Sequence, residues 1–252
     1  MNFSGLPLKK YKAAFFDFTS CEGCQLQVLN NEKNLISFLS LIEIVNFREI
    51  SSEKRDDYEI AFIEGAVSRK DQLPKLKEIR EKAKMVIALG TCACYGGVNA
   101  MKNSFSIEAA VSEVYKEQKV DTMPVQKISD IIDVDLQIPG CPISKKELEE
   151  ILLSLSLGSV VDRKKYPVCV ECKQNMNHCF LDQGKLCFGT ITRAGCNSVC
   201  VNGKLPCYGC RGPSDETNWK SLKNILQEKG ITEEEIDEKL TLFNTLYEVT
   251  KK

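Results

Sequence analysis

The sequence predicts an α/β fold: a doubly wound, mainly parallel sheet, followed by a loop-rich cysteine segment and a helical C-terminal tail. Three observations predict it. Short apolar runs alternate with amphipathic stretches from residue 12 to residue 157, the pattern of strands joined by helical crossovers. Eight of the 13 cysteines then fall between Cys169 and Cys210, where Gly, Pro, Asn and isolated apolar residues show no period long enough to bury a face. From Ser214 onward the pattern is helical. The expected domains are 1–158, 159–213 and 214–252.

Taken in order, KAAFFDF (12–18) is a short apolar run that stops at TSCEGC, reading as a buried strand that feeds a tight turn. Leu26, Leu29, Leu35, Ile36 and Leu39 recur at roughly helical spacing, predicting a first helix over 25–39. EIVNFREI (43–50) and YEIAFIEG (58–65) read as the second and third strands. Ser68 is the expected cap of a helix over 70–83, with Pro74 near its first turn or breaking it. KMVIALG (84–90) is the clearest strand and ends in GTCACYGG. Residues 106–117 read as a helix, 133–139 as a weaker strand ending at GCP, and 144–157 as a helix capped by Ser144. In the tail the helix breaks at Gly230, and Thr232 with Glu235 resembles a capping box.

In such sheets the functional crevice lies beyond the carboxyl ends of the strands. Cys21, Cys24, Cys92 and Cys141 follow three different strands, so one sheet edge can gather all four. Cys94 completes no set of four and reads as a small buried hydrophobe. Glu22 and Glu64 could carry protons or orient a partner, or be ordinary turn residues.

Charge and composition exclude several classes. Lys and Arg number 34 against 35 Asp and Glu, which gives no electrostatic case for nucleic acid or an anionic membrane. No stretch approaches the ~20 apolar residues of a membrane span, and no export signal opens the sequence, so direct membrane insertion is not expected and a cytoplasmic location is. In that reducing compartment cysteines serve metals rather than disulfides. The chain lacks a dinucleotide fingerprint, a phosphate-binding loop and a Ser, His and Asp set.

Eight clustered cysteines with little apolar material between them point to thiolate–metal bonding as the ordering force. Sets of four thiolates are how proteins hold iron-sulfur clusters. Zinc in two four-cysteine sites is the competing reading for 169–210, and a redox dithiol for Cys21 and Cys24. His178, the single histidine, sits beside Cys179 and reads as a loop residue or a donor to sulfur rather than a ligand.

TSCEGCQ, ALGTCACYGGV, IPGCPISKKEL and the run ending CYGCRGP together resemble the small, electron-transferring subunit of nickel-iron hydrogenases, in particular its soluble cytoplasmic forms such as sulfhydrogenase delta subunits. The resemblance spans residues 12–213. It implies a flavodoxin-like first domain and three [4Fe-4S] clusters: a proximal one on Cys21, Cys24, Cys92 and Cys141, a distal one on Cys169, Cys172, Cys179 and Cys187, and a medial one on Cys196, Cys200, Cys207 and Cys210. It also implies that the chain is one subunit of an oxidoreductase, with its nickel-iron catalytic site on a separate large subunit. The second implied partner is a flavin- or iron-sulfur-containing electron-transfer subunit. An electron-transfer subunit of another oxidoreductase, and a zinc-stabilised interaction protein, are the alternatives.

Overall fold

The computed structural model describes residues 10–30, 39–116, 118–161 and 163–246. The chain divides into two compact units, Met1–Asp162 and Arg163–Lys252. In the first unit, five strands, β1 (Tyr11–Asp17), β2 (Ile42–Phe47), β3 (Ile60–Glu64), β4 (Met85–Leu89) and β5 (Leu136–Ile138), form one sheet in the order β2-β1-β3-β4-β5. Every pairing is parallel, and the order is that of flavodoxin-like sheets, with its switch point between β1 and β3. Both faces are covered, which is why the strands are continuously apolar rather than alternating; all five residues of β3 are buried.

The pleat sends neighbouring residues to opposite cores. Ala13, Phe15, Ile60, Phe62, Ile87 and Leu89 pack with α1 (Gly23–Leu29) and α5 (Lys145–Ser156). Ala14, Ala61, Ile63, Val86 and Ala88 pack with α2 (Gln72–Lys82) and α3 (Gly90–Tyr95). Phe15 stacks between Phe47 and Phe62, with ring centroids 4.4 and 4.7 Å apart, an offset geometry that adds to burial. A 3-10 stretch (Gly97–Ser104) and α4 (Ile107–Tyr115) follow α3. Ser144 caps α5 as expected, its hydroxyl accepting from Glu147 N–H, and Ser106 caps α4 in the same way, accepting from Ala109 N–H.

Three local expectations change. Of the predicted helix over 25–39, residues 31–38 lie outside the described residues, and α1 ends at Leu29. Ser68 does not cap α2, which starts after Asp71; its N–H donates to Gln72 Oε1, and its hydroxyl meets Thr19 Oγ1 at 2.7 Å, tying the end of β1 to that of β3. The strand expected over 84–90 ends at Leu89, because residues 90–95 wind into α3, which starts at Gly90 and is followed by Gly96, both at positive φ.

The second unit holds α6 (Val168–Gln174), α7 (Val199–Asn202), α8 (Trp219–Glu228) and α9 (Glu233–Thr241). The expectation that burial plays little part in the cysteine segment is corrected here. Val168, Phe180, Leu181, Phe188, Ile191 and Val201 form one core with Leu222, Leu226, Ile236, Leu240 and Leu246. The stripe on the last two helices supplies the apolar area that the cysteine loops lack. Thr232 and Glu235 form the capping box that starts α9.

Candidate iron-sulfur sites

The carboxyl ends of the strands build the first site. β1 runs into a turn fixed by reciprocal backbone hydrogen bonds between Thr19 and Ala66, both 3.0 Å. Glu22 then takes a left-handed conformation, φ 61°, and α1 begins with Cys24 in its first turn. Glu64, at the end of β3 and 2 % exposed, accepts the N–H of Cys24 at 3.1 Å and of Gln25 at 2.9 Å, one on each carboxylate oxygen. Two of the N–H groups that a helix start leaves without partners are thereby satisfied by an anion. Glu64 is thus part of the site rather than a turn residue. Glu22 faces outward and pairs with Arg48.

β4 delivers α3, which carries Cys92 and Cys94. Two positions on a helix lie ~200° apart, so the two cysteines point to opposite sides. Cys94, 1 % exposed, joins the core under the sheet and directs its thiol to Ala88 O at 3.6 Å, as a small buried hydrophobe does. Cys92 lines a cavity of about 240 Å³ together with Cys21, Cys24, Cys141, Glu64, Thr91 and Gly140. All four cysteines expected from three strand ends therefore meet around one space. Thr91 and Gly140 join β4 to β5 there, Thr91 N–H donating to Gly140 O at 3.0 Å.

Burial, and then the Glu64 charge, pushes the Cys24 thiol far above its ordinary range. Burial, then Cys141 and Cys21, pushes Cys92 up to about 12, and burial raises Cys141, with Cys21 and Glu64 adding to it. Cys24, Cys92 and Cys141 are thus disfavoured as thiolates unless a cation compensates them, which is the condition that metal bonding meets.

The residues fit an iron-sulfur group on two further observations. Glycines leave room that a side chain would close: a Cβ on Gly90 would lie 2.4 Å from Cys24 Sγ, and one on Gly97 would lie 2.7 Å from Cys92 Sγ. The buried hydroxyls of Ser20, beside Cys21, and of Thr190, beside Gly189, have no partner among the described residues, as groups facing an additional acceptor would. No three His, Cys, Asp or Glu among the described residues converge on a single ion. The cavity far exceeds the ~10–15 Å³ of space that one water needs, so it has room for a group larger than a water.

In the second unit, Cys169 and Cys172 sit three apart on α6, on one helix face. Burial, then Cys187, Cys172 and Cys179, pushes Cys169 up to about 12. Gly189 lies between two of them, its missing Cβ 3.4 Å from Cys169 Sγ and 3.6 Å from Cys187 Sγ. Cys200 is raised by burial and then Cys196. Cys207 is raised by burial, then Cys187, with Cys210 also contributing. Cys196 with Cys200, and Cys207 with Cys210, are thus brought together as pairs. Cys187 borders both neighbourhoods, and its Sγ accepts the N–H of Cys207 at 3.3 Å. His178 is exposed.

The last C-x2-C is held from the tail. Thr245 Oγ1 donates to Gly209 O at 2.6 Å, and Leu246 lies against Gly209, where a Cβ would meet its Cδ1 at 2.6 Å. Among the described residues no helix is long and apolar enough to cross a membrane.

Comparison with known proteins agrees with this geometry. The family model described as NADH ubiquinone oxidoreductase, 20 Kd subunit, matches residues 21–155, more than half of the chain. Sulfhydrogenase 2 subunit delta of Pyrococcus furiosus is 36 % identical over 237 residues, covering 92 % of this chain and 98 % of the relative. A subunit of the F420-non-reducing hydrogenase vhu of Methanocaldococcus jannaschii is 30 % identical over 268 residues, covering 92 % and 93 %. The crystal structure of an NAD+-reducing [NiFe]-hydrogenase in the H2-reduced state contains a chain with the same fold, at a TM-score of 0.55 and 22 % identity, covering 61 % of this chain and 95 % of that one. The strand-end cysteines, the five-stranded parallel sheet and these relatives lead to one conclusion: the chain belongs to the NADH ubiquinone oxidoreductase 20 Kd subunit family and is a hydrogenase small-subunit-like electron-transfer protein.

Proposed function

We propose that this chain is the small subunit of a cytoplasmic nickel-iron hydrogenase, relaying electrons between the nickel-iron site of a large subunit and a flavin- or iron-sulfur-containing partner. In this reading Cys21, Cys24, Cys92 and Cys141 hold a proximal [4Fe-4S] cluster within residues 1–158. Cys169, Cys172, Cys179 and Cys187 hold a distal one, and Cys196, Cys200, Cys207 and Cys210 a medial one, within 159–213. Residues 214–246 support that segment. The observation that carries the reading is the convergence of four cysteines from three strand ends on one cavity.

Bound there, the clusters supply one-electron carriers whose potentials can lie anywhere from about −700 to +450 mV. The chain's own residues do the rest. The thiolates of Cys24, buried, and Cys92, half-buried, would hold iron from the inner side, while Cys21 and Cys141 are exposed and leave one side of the site open to a partner. Glu64 fixes the backbone on which Cys24 rides, and Gly90 and Gly97 keep the sulfurs free to turn inward.

Anaerobic iron, zinc and acid-labile sulfide analysis, followed by low-temperature EPR after dithionite reduction, tests the reading. The expected result is about twelve irons with matching sulfide, four per four-cysteine site. Zinc replacing iron in either half of the second unit would break the relay and refute it.

A further inference from the structure

The loop that carries Cys196 is gripped by two buried charges of opposite sign. Glu171, 4 % exposed, accepts the N–H of Gly195 at 2.9 Å and of Ser198 at 3.3 Å, one on each oxygen. Lys164 Nζ approaches the same carboxylate at 3.3 Å. Arg211, 1 % exposed, donates from Nε to the carbonyl of Ala194 at 3.0 Å. The contacted positions lie on both sides of Cys196, and each charge comes from a cysteine motif. Glu171 stands inside Cys169-x2-Cys172, and Arg211 directly follows Cys210.

Holding a loop does not require this arrangement. Burying ions is costly, and apolar side chains of similar volume commonly stabilise as well or better. What a buried guanidinium adds is a permanent positive charge in a low-dielectric setting.

We propose that Arg211 and Glu171 together set the reduction potential of the cluster held through Cys196, Arg211 raising it and Glu171 lowering it. The proposal rests on the cluster assignment given under Proposed function. A one-electron reduction adds one negative charge to the group and its thiolates, so a buried cation beside them stabilises the reduced state and a buried anion the oxidised one. Both residues act through position and field, and neither is a ligand.

The test is an EPR-monitored redox titration of the full chain, purified anaerobically, as wild type, Arg211→Met, Arg211→Lys and Glu171→Gln, with iron and sulfide measured on each. In Arg211→Met, one cluster signal is expected to show at least a tenfold lower reduced-to-oxidised ratio at fixed potential, about 59 mV for one electron. Arg211→Lys keeps the charge and should stay near wild type, and Glu171→Gln should shift the same signal several-fold the opposite way. An iron-replete Arg211→Met with an unchanged ratio overturns the proposal. So do shifts of the same sign in Arg211→Met and Glu171→Gln, because loop damage and not charge would then be the cause. Should Arg211→Met fail to fold, Glu171→Gln decides alone, and the absence of an upward shift is fatal. A wild-type chain that binds no iron through Cys196 defeats the cluster assignment instead, and the iron analysis separates that outcome before any titration.

Discussion

Replacing Gly90 by alanine tests the first site with a single methyl group. Two costs arise. Gly90 has φ +85°, a left-handed conformation that an L residue adopts at roughly 1–2 kcal/mol. The added Cβ would also lie 2.4 Å from Cys24 Sγ, so the sulfur must retreat by roughly 1 Å to reach the ~3.5 Å of ordinary carbon contact. Metal–ligand distances tolerate only about 0.2 Å, so the displacement lies well beyond what a bound iron accepts. The control is Gly158→Ala, also at positive φ, 64°, but with nothing within 4 Å of the new Cβ; it carries the strain without the clash. The expected outcome is that Gly158→Ala loses only the stability the strain costs, that Gly90→Ala loses more because the clash is added, and that Gly90→Ala alone loses about four of twelve irons. A Gly90→Ala chain with full iron and sulfide and an unaltered EPR spectrum would refute the claim that this cavity holds a cluster against Cys24.

Other substitutions separate ligand, support and core. Glu64→Gln keeps one acceptor oxygen for the two N–H groups of Cys24 and Gln25, so one buried donor loses its partner and stability should fall by about 1–3 kcal/mol in chemical denaturation. Cys94→Ala should keep all its iron, whereas Cys92→Ala should lose the first cluster; iron analysis of the pair distinguishes core from ligand. Leu226→Ala, at a fully buried position of the second unit's core, should cost about 2–5 kcal/mol and release iron from that unit at lower urea than wild type. In the metal-free chain the raised thiols of Cys92 and Cys169, both at about 12, bind protons more tightly folded than unfolded. Their contribution is therefore complete below the ordinary thiol range near 9 and lost as pH rises toward 12. Thermal melting of the metal-free chain should show a falling midpoint over that window.

The strands and their cysteines are readable because each signal is local. A run such as KMVIALG marks a strand buried on both faces, and the cysteines that follow it can only sit at its carboxyl end, where parallel sheets collect function. Glu64 and Glu22 show where locality ends. Both are carboxylates at turns, and nothing within a few residues distinguishes them. Glu64 gains its role from backbone 40 positions away, while Glu22 meets an arginine at the surface. The six residues of α3 give no helical signal because Gly and Cys carry little helical propensity, although the helix is what turns Cys92 and Cys94 to opposite sides. In the second unit the apolar stripe of Leu222, Leu226, Ile236 and Leu240 is visible as helix periodicity, but its partner is not. An amphipathic stripe must bury against something, and a cysteine segment short of apolar residues is the neighbour that most needs one. Phe188 and Cys207 supply the other side of that core, so the last two helices are part of the support for the cysteine loops, and a change in their stripe should be felt at the iron.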